Sequence, residues 1–320
     1  MECHTLDHPT SHARIQQAFD AIRPERPTHL SIARPGHIAM PPGSSGDPNW
    51  HQQGIQKTAR GEFVVSGSAP EVGYLYLAGA ARSIVKVLTP QAATEPPDPQ
   101  ALNHLGGLQA AGDFLAVGYE RYQNRDRGTS KILFYDIADI AAPVMLHHLT
   151  ITRNRAGQTG GAVALIPLGD RWLVLVANWD AVRLDFYLSN AGDLRDPATR
   201  FSTSPLWTWS QATHGLAPGS IDNRWGWYQN INLFGEVGAT PRLEGLWFVG
   251  LYEDWADLYR LELGAGGPVV TKLGTKRFVG GVDFSQAAGL YYDPTGQAFE
   301  VYAAEAHLHD GKICLVDRWE

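Results

Sequence analysis

Charge is scarce in this 320-residue chain: Asp, Glu, Lys and Arg together make up 18%, below the usual quarter of a globular protein. No run of Lys or Arg occurs and the formal net charge is −7. A phosphate-tracking surface needs clustered cations, so no nucleic-acid partner is expected. No apolar stretch approaches 18 residues, so no helical membrane span and no membrane partner are expected. Residues 1–20 contain no apolar segment of the kind a secretory leader needs. Cysteine occurs twice, as Cys3 and Cys314, too few for a disulfide framework and suited to a reducing, cytoplasmic setting. Phosphate-binding, dinucleotide-binding, nucleophile-elbow, zinc-protease and paired C-x-x-C motifs are all missing. Any chemistry must come from side chains that the fold assembles from distant positions.

Glycine (34) and proline (20) are abundant, and apolar residues reach 44%. That mix suits many short strands joined by tight turns. The strands recur as a set. His51-Gln52-Gln53-Gly54-Ile55-Gln56, Phe63–Gly67 and Tyr74–Leu77 are matched in order and spacing by His104-Leu105-Gly106-Gly107-Leu108-Gln109, Phe114–Gly118 and Lys131–Asp136. Weaker copies follow at Gly161–Ala164, Trp172–Val176 and Arg183–Tyr187, then at Asn230–Asn232, Leu246–Gly250 and Asp257–Leu261. The last is Gly281–Asp283, Phe299–Ala303 and Lys312–Val316. Equivalent small residues are 53, 55, 68 and 51 residues apart.

Three strands plus a weaker outer one, repeated every fifty-odd residues, have the size of a propeller blade. The outer strands are expected at Ser83–Leu88, Val144–Ile151, Arg200–Trp207 and Val269–Lys276. The predicted fold is an all-β, five-bladed β-propeller with four-stranded blades. The blades fall near 49–100, 101–155, 156–209, 225–276 and 277–320, in one domain spanning 28–320. The fifth copy reaches Glu320 without an outer strand, which the segment Thr28–Ile38 is expected to supply, closing the last blade. Residues 1–27 read as a lead-in with a short helix over Ser11–Ile22.

The innermost strands carry Gly54, Gly107, Ala162, Asn230 and Gly281 at one position, mostly small residues, as convergence on an axis requires. Two residues on come Gln56, Gln109, Ala164, Asn232 and Asp283, a polar ring suited to a wet central channel. Loops entering the inner strand and loops joining the second and third strands share one face of a propeller, where ligands bind. The entry positions are His51, His104, Thr159, Trp227 and Phe278. The second-strand ends are Ala69, Glu120, Asn178, Tyr252 and Glu305.

His51, His104, Glu120 and Glu305 are the candidate catalytic residues, brought together from far apart in sequence. Gln53, Asn178, Trp179, Trp227, Tyr228, Tyr252 and His307 are the candidate substrate contacts. Glu120 and Glu305 suit a separated acid–base pair with the histidines sharing proton transfer, a chemistry that requires no cofactor. His51, His104 and Glu120 also have the donor types for one divalent metal ion, with His307 in reserve. The plainer alternative is that these groups hydrogen-bond neighbouring loops and fix blade order.

Eight of the ten tryptophans lie between Trp172 and Trp255, and Trp207/Trp209 and Trp225/Trp227 bracket an insertion, Ser210–Arg224. Such insertions are often lids or binding loops, and His214 within it is placed to swing over the mouth. Rim aromatics stack on apolar or cationic ligand faces; blade packing accounts for them equally.

From about residue 28 the pattern resembles five-bladed propellers as a class. The resemblance implies glycoside hydrolases among its enzymes, which place an Asp base, an Asp modulator and a Glu acid on successive inner strands. This chain departs from that pattern: His51 and Gln53 stand on the first inner strand, and Asp283 is the only acid aligned with one. Unequal loops favour one central site. The expected function is an enzyme acting on a small or medium organic substrate by hydrolysis, elimination or isomerisation. The alternative is a non-catalytic ligand-binding or protein-interaction scaffold.

Overall fold

Most of the stretches expected as strands extend in the computed structural model, which describes residues 10–42, 51–90, 102–121, 129–155, 157–235, 243, 245–293 and 298–320. Cys3 lies outside them. Helix α1 (Thr10–Ala21) precedes strand β1 (Thr28–Ala33). Then come four strands, β2 (Gln52–Lys57), β3 (Phe63–Ser68), β4 (Gly73–Ala78) and β5 (Ile84–Leu88). They are followed by β6 (His104–Ala111), β7 (Phe114–Glu120) and β8 (Ser130–Asp136), with a broken outer strand, β9 (Val144–Met145) and β10 (Ile151–Arg153). The next four are β11 (Ala162–Leu168), β12 (Arg171–Ala177), β13 (Arg183–Leu188) and β14 (Trp207–Ser210), with α2 (Gln211–His214) after them. The remaining strands are β15 (Asn230–Gly235), β16 (Leu246–Tyr252), β17 (Trp255–Gly264), β18 (Gly267–Arg277), β19 (Ala287–Asp293), β20 (Ala298–Ala304) and β21 (Ile313–Trp319).

Pairing within each group is antiparallel and sequential. The N-terminal strand β1 pairs with β21, Thr28 opposite Arg318 and Ala33 opposite Ile313. Apolar side chains form five clusters, each between one group and the next. One of them, with Ile55, Tyr76, Tyr302 and Val316, joins the last group to the first. Ile15, Ala18, Phe19 and Ile22 give α1 and its end a helical stripe, buried against the Phe299 and Leu258 cluster. Among the described residues no helix is long and apolar enough to cross a membrane.

The innermost strands β2, β6, β11, β15 and β19 pack against one another in turn, and β19 returns to β2. Ala162 faces Gly107, and Ala288 faces Gly54. Backbones meet so closely that a Cβ on Gly289 would lie 1.5 Å from the Ile55 carbonyl oxygen, and one on Gly118 1.9 Å from that of Gly160. No side chain fits at either position.

Four expectations need correction. The fifth inner strand is Ala287–Asp293, so Phe278 is not its entry position and Gly281 and Asp283 are not on it; Asp283 caps the Ser285 N–H at 2.9 Å. The third outer strand is Trp207–Ser210, and Arg200–Leu206 precedes it. The insertion is not a lid. Its Ala217 and Ile221 N–H groups donate to the Val270 and Lys272 carbonyls at 2.8 and 3.0 Å, which covers the exposed edge of β18. His214 is exposed and bonds only within its own turn, through Ser210. The axis is not a wet channel either. Gln56, Gln109 and Asn232 are buried and spend their amides on neighbouring inner strands. Gln109 donates to the Leu233 carbonyl at 2.7 Å and accepts from the Leu233 and Leu165 N–H groups at 2.8 and 3.4 Å. Gln56 donates to the Leu290 carbonyl at 2.7 Å and accepts from Asn232 Nδ2 at 2.9 Å.

A second device recurs in the third strands. Asp185, Asp257 and Asp317 are buried, and each bonds the residue directly opposite on the outer strand: Thr208 at 2.7 Å, Thr275 at 2.6 Å and His29 at 2.7 Å.

Replacing Gln109 by Ala strips partners from two buried N–H groups and a carbonyl. The expected cost is roughly 2–4 kcal/mol in urea unfolding, against less than about 0.5 kcal/mol for exposed Gln17→Ala; equal effects would contradict the axial role of Gln109. Cys314 is fully buried, and burial pushes its thiol up from 9.0 to about 12. In a Cys3→Ser protein, Cys314 should resist iodoacetamide at about pH 8 until the chain is unfolded. A folded-state value above the unfolded one stabilises fully below pH 9.0 and is lost as pH rises toward about 12. Rapid alkylation of the folded protein would contradict the burial.

Candidate functional site

Two inner strands carry β-bulges at the same end. In β2 the pairing with β3 jumps from Gln52 to Gly54, leaving Gln53 as the extra residue. In β6 it jumps from Leu105 to Leu108, across Gly106-Gly107. A bulge re-aims side chains and is common beside active sites. Here the bulged ends border a small cleft at the mouth of the axis, lined by Gln53, His104, Glu120, Gly161, Trp179, Asp180, Tyr228 and Gln229. Its volume is about 10 Å³, room for one water molecule.

His104 opens β6 and Glu120 closes β7, directly opposite in the ladder. Both are buried, at 2% and 1% exposure, so their polar atoms must be met by partners. Glu120 Oε1 lies 3.6 Å from His104 Nδ1, a contact longer than a hydrogen bond. Its other oxygen accepts the Gly160 N–H at 2.5 Å. The His104 ring lies against that of Trp179, centroids 5.3 Å apart.

The loop carrying Trp179 is held tightly. Its backbone N–H donates to Thr159 Oγ1 at 2.5 Å. Asp180 and Ala181 both adopt left-handed backbone, φ 60° and 51°, a strain that persists only where surroundings enforce it. Asn178 is part of that enforcement. Its Oδ1 accepts from the Arg183 N–H at 2.8 Å and its Nδ2 donates to the Gly157 carbonyl at 3.3 Å. Asn178 therefore shapes the loop, with both ends of its amide bonded to backbone.

Tyr228 offers the cleft its ring, because its hydroxyl donates to Asp257 Oδ2 at 2.6 Å and also meets the Tyr259 hydroxyl. Burial holds that phenol well above its ordinary value. Asp257 is countered by buried Lys272, whose Nζ lies 3.1 Å from Asp257 and 3.1 Å from Asp222 of the insertion. The insertion thus braces the cleft wall from behind. Tyr252 stacks edge-on to Tyr228 at 5.3 Å, its phenol pushed up to about 12 by burial.

His51 precedes β2, and its Nε2 contacts Gln53 Nε2 at 2.5 Å, so it reaches the cleft only through Gln53. Glu305 follows β20, half-buried, and is not on the cleft wall. His307 is half-buried beyond it. Trp227 is 66% exposed. The fold therefore brings His104, Glu120, Gln53, Trp179 and Tyr228 to one cleft and leaves Glu305 and His307 outside it. Among the described residues no three His, Cys, Asp or Glu side chains gather as a metal-binding group, so His51, His104 and Glu120 do not form the expected ligand set. Asp180, Gly161 and Gln229 complete the wall; only Asp180 had a signal in the sequence, its place beside Asn178 at a second-strand end. With the fifth inner strand corrected, no inner-strand carboxylate stands at this mouth; Asp293 is at the far end of β19.

No protein-family model matches the chain, and no curated protein does. Among solved structures it is similar to Zg3597, a family 117 glycoside hydrolase of Zobellia galactanivorans, with 8% identity, TM-score 0.45, and 91% of this chain and 90% of that one covered. It is also similar to an α-L-arabinanase of Penicillium chrysogenum, with 10% identity, TM-score 0.44 and coverage of 91% and 98%. A β-fructofuranosidase of Bombyx mori, BmSUC1, matches with 12% identity, TM-score 0.42 and coverage of 97% and 66%.

Proposed function

We propose that the five strand groups are the blades of one five-bladed propeller spanning residues 28–320, with 1–27 as a lead-in. We further propose that the cleft at its axial mouth is the active site of a hydrolase acting on a small or medium organic substrate. The observation that carries this is the buried His104–Glu120 pair opening on a cleft the size of one water molecule. A buried carboxylate beside Nδ1 favours the tautomer with its proton there. Nε2 is then the basic nitrogen, suited to taking a proton from water and returning it to a leaving group.

Glu120, pinned by the Gly160 N–H, would orient the ring and stabilise the imidazolium that forms. Asp180, on the same cleft wall, supplies a second carboxylate. A substrate too large for the cleft would place only its reacting group there. Its remainder would lie on the rim, against exposed Trp227, with Gln53 as a polar contact. Elimination or isomerisation would use the same proton transfers but leaves the water-sized space without a purpose.

The test is turnover of a panel of small chromogenic esters, amides and glycosides. His104→Gln should lower the rate on any accepted substrate by about 10²–10⁴-fold while the melting temperature holds. Wild-type turnover in His104→Gln would overturn the assignment. A wild-type protein that hydrolyses none of the panel, while binding its members at the rim, would support the non-catalytic scaffold instead.

A further inference from the structure

A second cavity, of about 350 Å³, shares no residue with the axial cleft. Asp254, Arg277, Val279, Gly280, Val282 and Asp283 line it, between the β16–β17 turn and the segment leading into β19. That volume lies at the small end of ligand sites. We propose that it binds a small zwitterion of amino-acid size.

Charge and geometry carry the assignment. Arg277 Nε donates to Asp254 Oδ2 at 2.6 Å, and no described residue bonds its two terminal nitrogens. Those nitrogens form the fork that grips a carboxylate bidentately. Asp254 uses one oxygen on Arg277, and Asp283 uses one on the Ser285 N–H. The remaining oxygens suit an ammonium. Val279, 61% exposed, and half-buried Val282 add apolar surface for an aliphatic side chain.

The wall is formed in advance, which limits the ordering cost of binding. Asp317 Oδ2 accepts the Gly281 and Val282 N–H groups at 2.9 and 3.2 Å. Phe278 N–H donates to the Asp254 carbonyl at 2.7 Å, and Val279 N–H to that of Pro24 at 2.9 Å. A Cβ at Gly280 would lie 2.7 Å from both Asp317 Oδ2 and the Trp319 ring, so only glycine lets the wall sit this close. Beneath it, the buried Phe278, Phe284 and Trp319 rings pack edge to face, 5.2–5.6 Å apart.

Calorimetric titration of the full chain with L-leucine, N-acetyl-L-leucine and L-leucinamide tests this. L-leucine should bind saturably with Kd below about 1 mM, and masking either charge should weaken binding at least tenfold. Arg277→Ala should also weaken leucine at least tenfold; the Arg277 side chain is 67% exposed, so the fold survives its loss. His104→Gln should leave leucine binding unchanged, which separates this site from the axial one. Absence of saturable leucine binding, equal binding of the three probes, a loss under tenfold in Arg277→Ala, or a loss in His104→Gln would each overturn the proposal.

Discussion

Five strands can converge on one axis only if little more than backbone occupies the centre, and the polar backbone groups they bring must still be satisfied away from water. This chain meets both demands. Gly54, Gly107, Ala162, Ala288 and Gly289 supply the space, and the side-chain amides of Gln56, Gln109 and Asn232 supply the bonds. Gln109 alone joins three inner strands, its own and those of Leu165 and Leu233. A water-filled channel would leave the strands free to slide; cross-bonded amides fix their relative height.

The candidate site depends on that fixed height. Strand β6 carries Gln109 inside and His104 at the mouth, separated by the Gly106-Gly107 bulge. The bulge lets one strand serve both purposes, staying in register where it is pinned and turning where chemistry is needed. Glu120 faces His104 because the ladder pairs them, and Gly160 can reach Glu120 because Gly118 leaves room for its backbone. The opposite wall is held from outside. Lys272 and Asp257 secure Tyr228 through the same third-strand carboxylate that recurs as Asp185 and Asp317. The repeat thus provides the frame, and departures from it provide the cleft.

How much of this could be read from sequence follows the same division. The first two copies share residues at matching spacing, so the order and length of their strands were legible, and that alignment set His104 and Glu120 on one rim without pairing them. The fifth inner strand was not legible. Gly280-Gly281 imitates the Gly106-Gly107 pair of the second copy, whereas the true strand, Ala287–Asp293, has Ala288 where the first two copies have Gly54 and Gly107. Bulges were illegible because an extra residue shows only against a partner strand. The insertion between Trp209 and Trp225 reveals its length but not which edge it covers. The polar ring at Gln56, Gln109 and Asn232 was legible as a ring, but amides bonded to backbone and amides facing water look alike in sequence.

The central claim is that His104 and Glu120 act as one unit at the axial mouth. A double-mutant cycle on turnover, comparing His104→Gln, Glu120→Gln and the double variant, tests it most directly. If Glu120 works through His104, the double variant loses no more than the worse single one. Losses that multiply would show two independent groups and contradict the account.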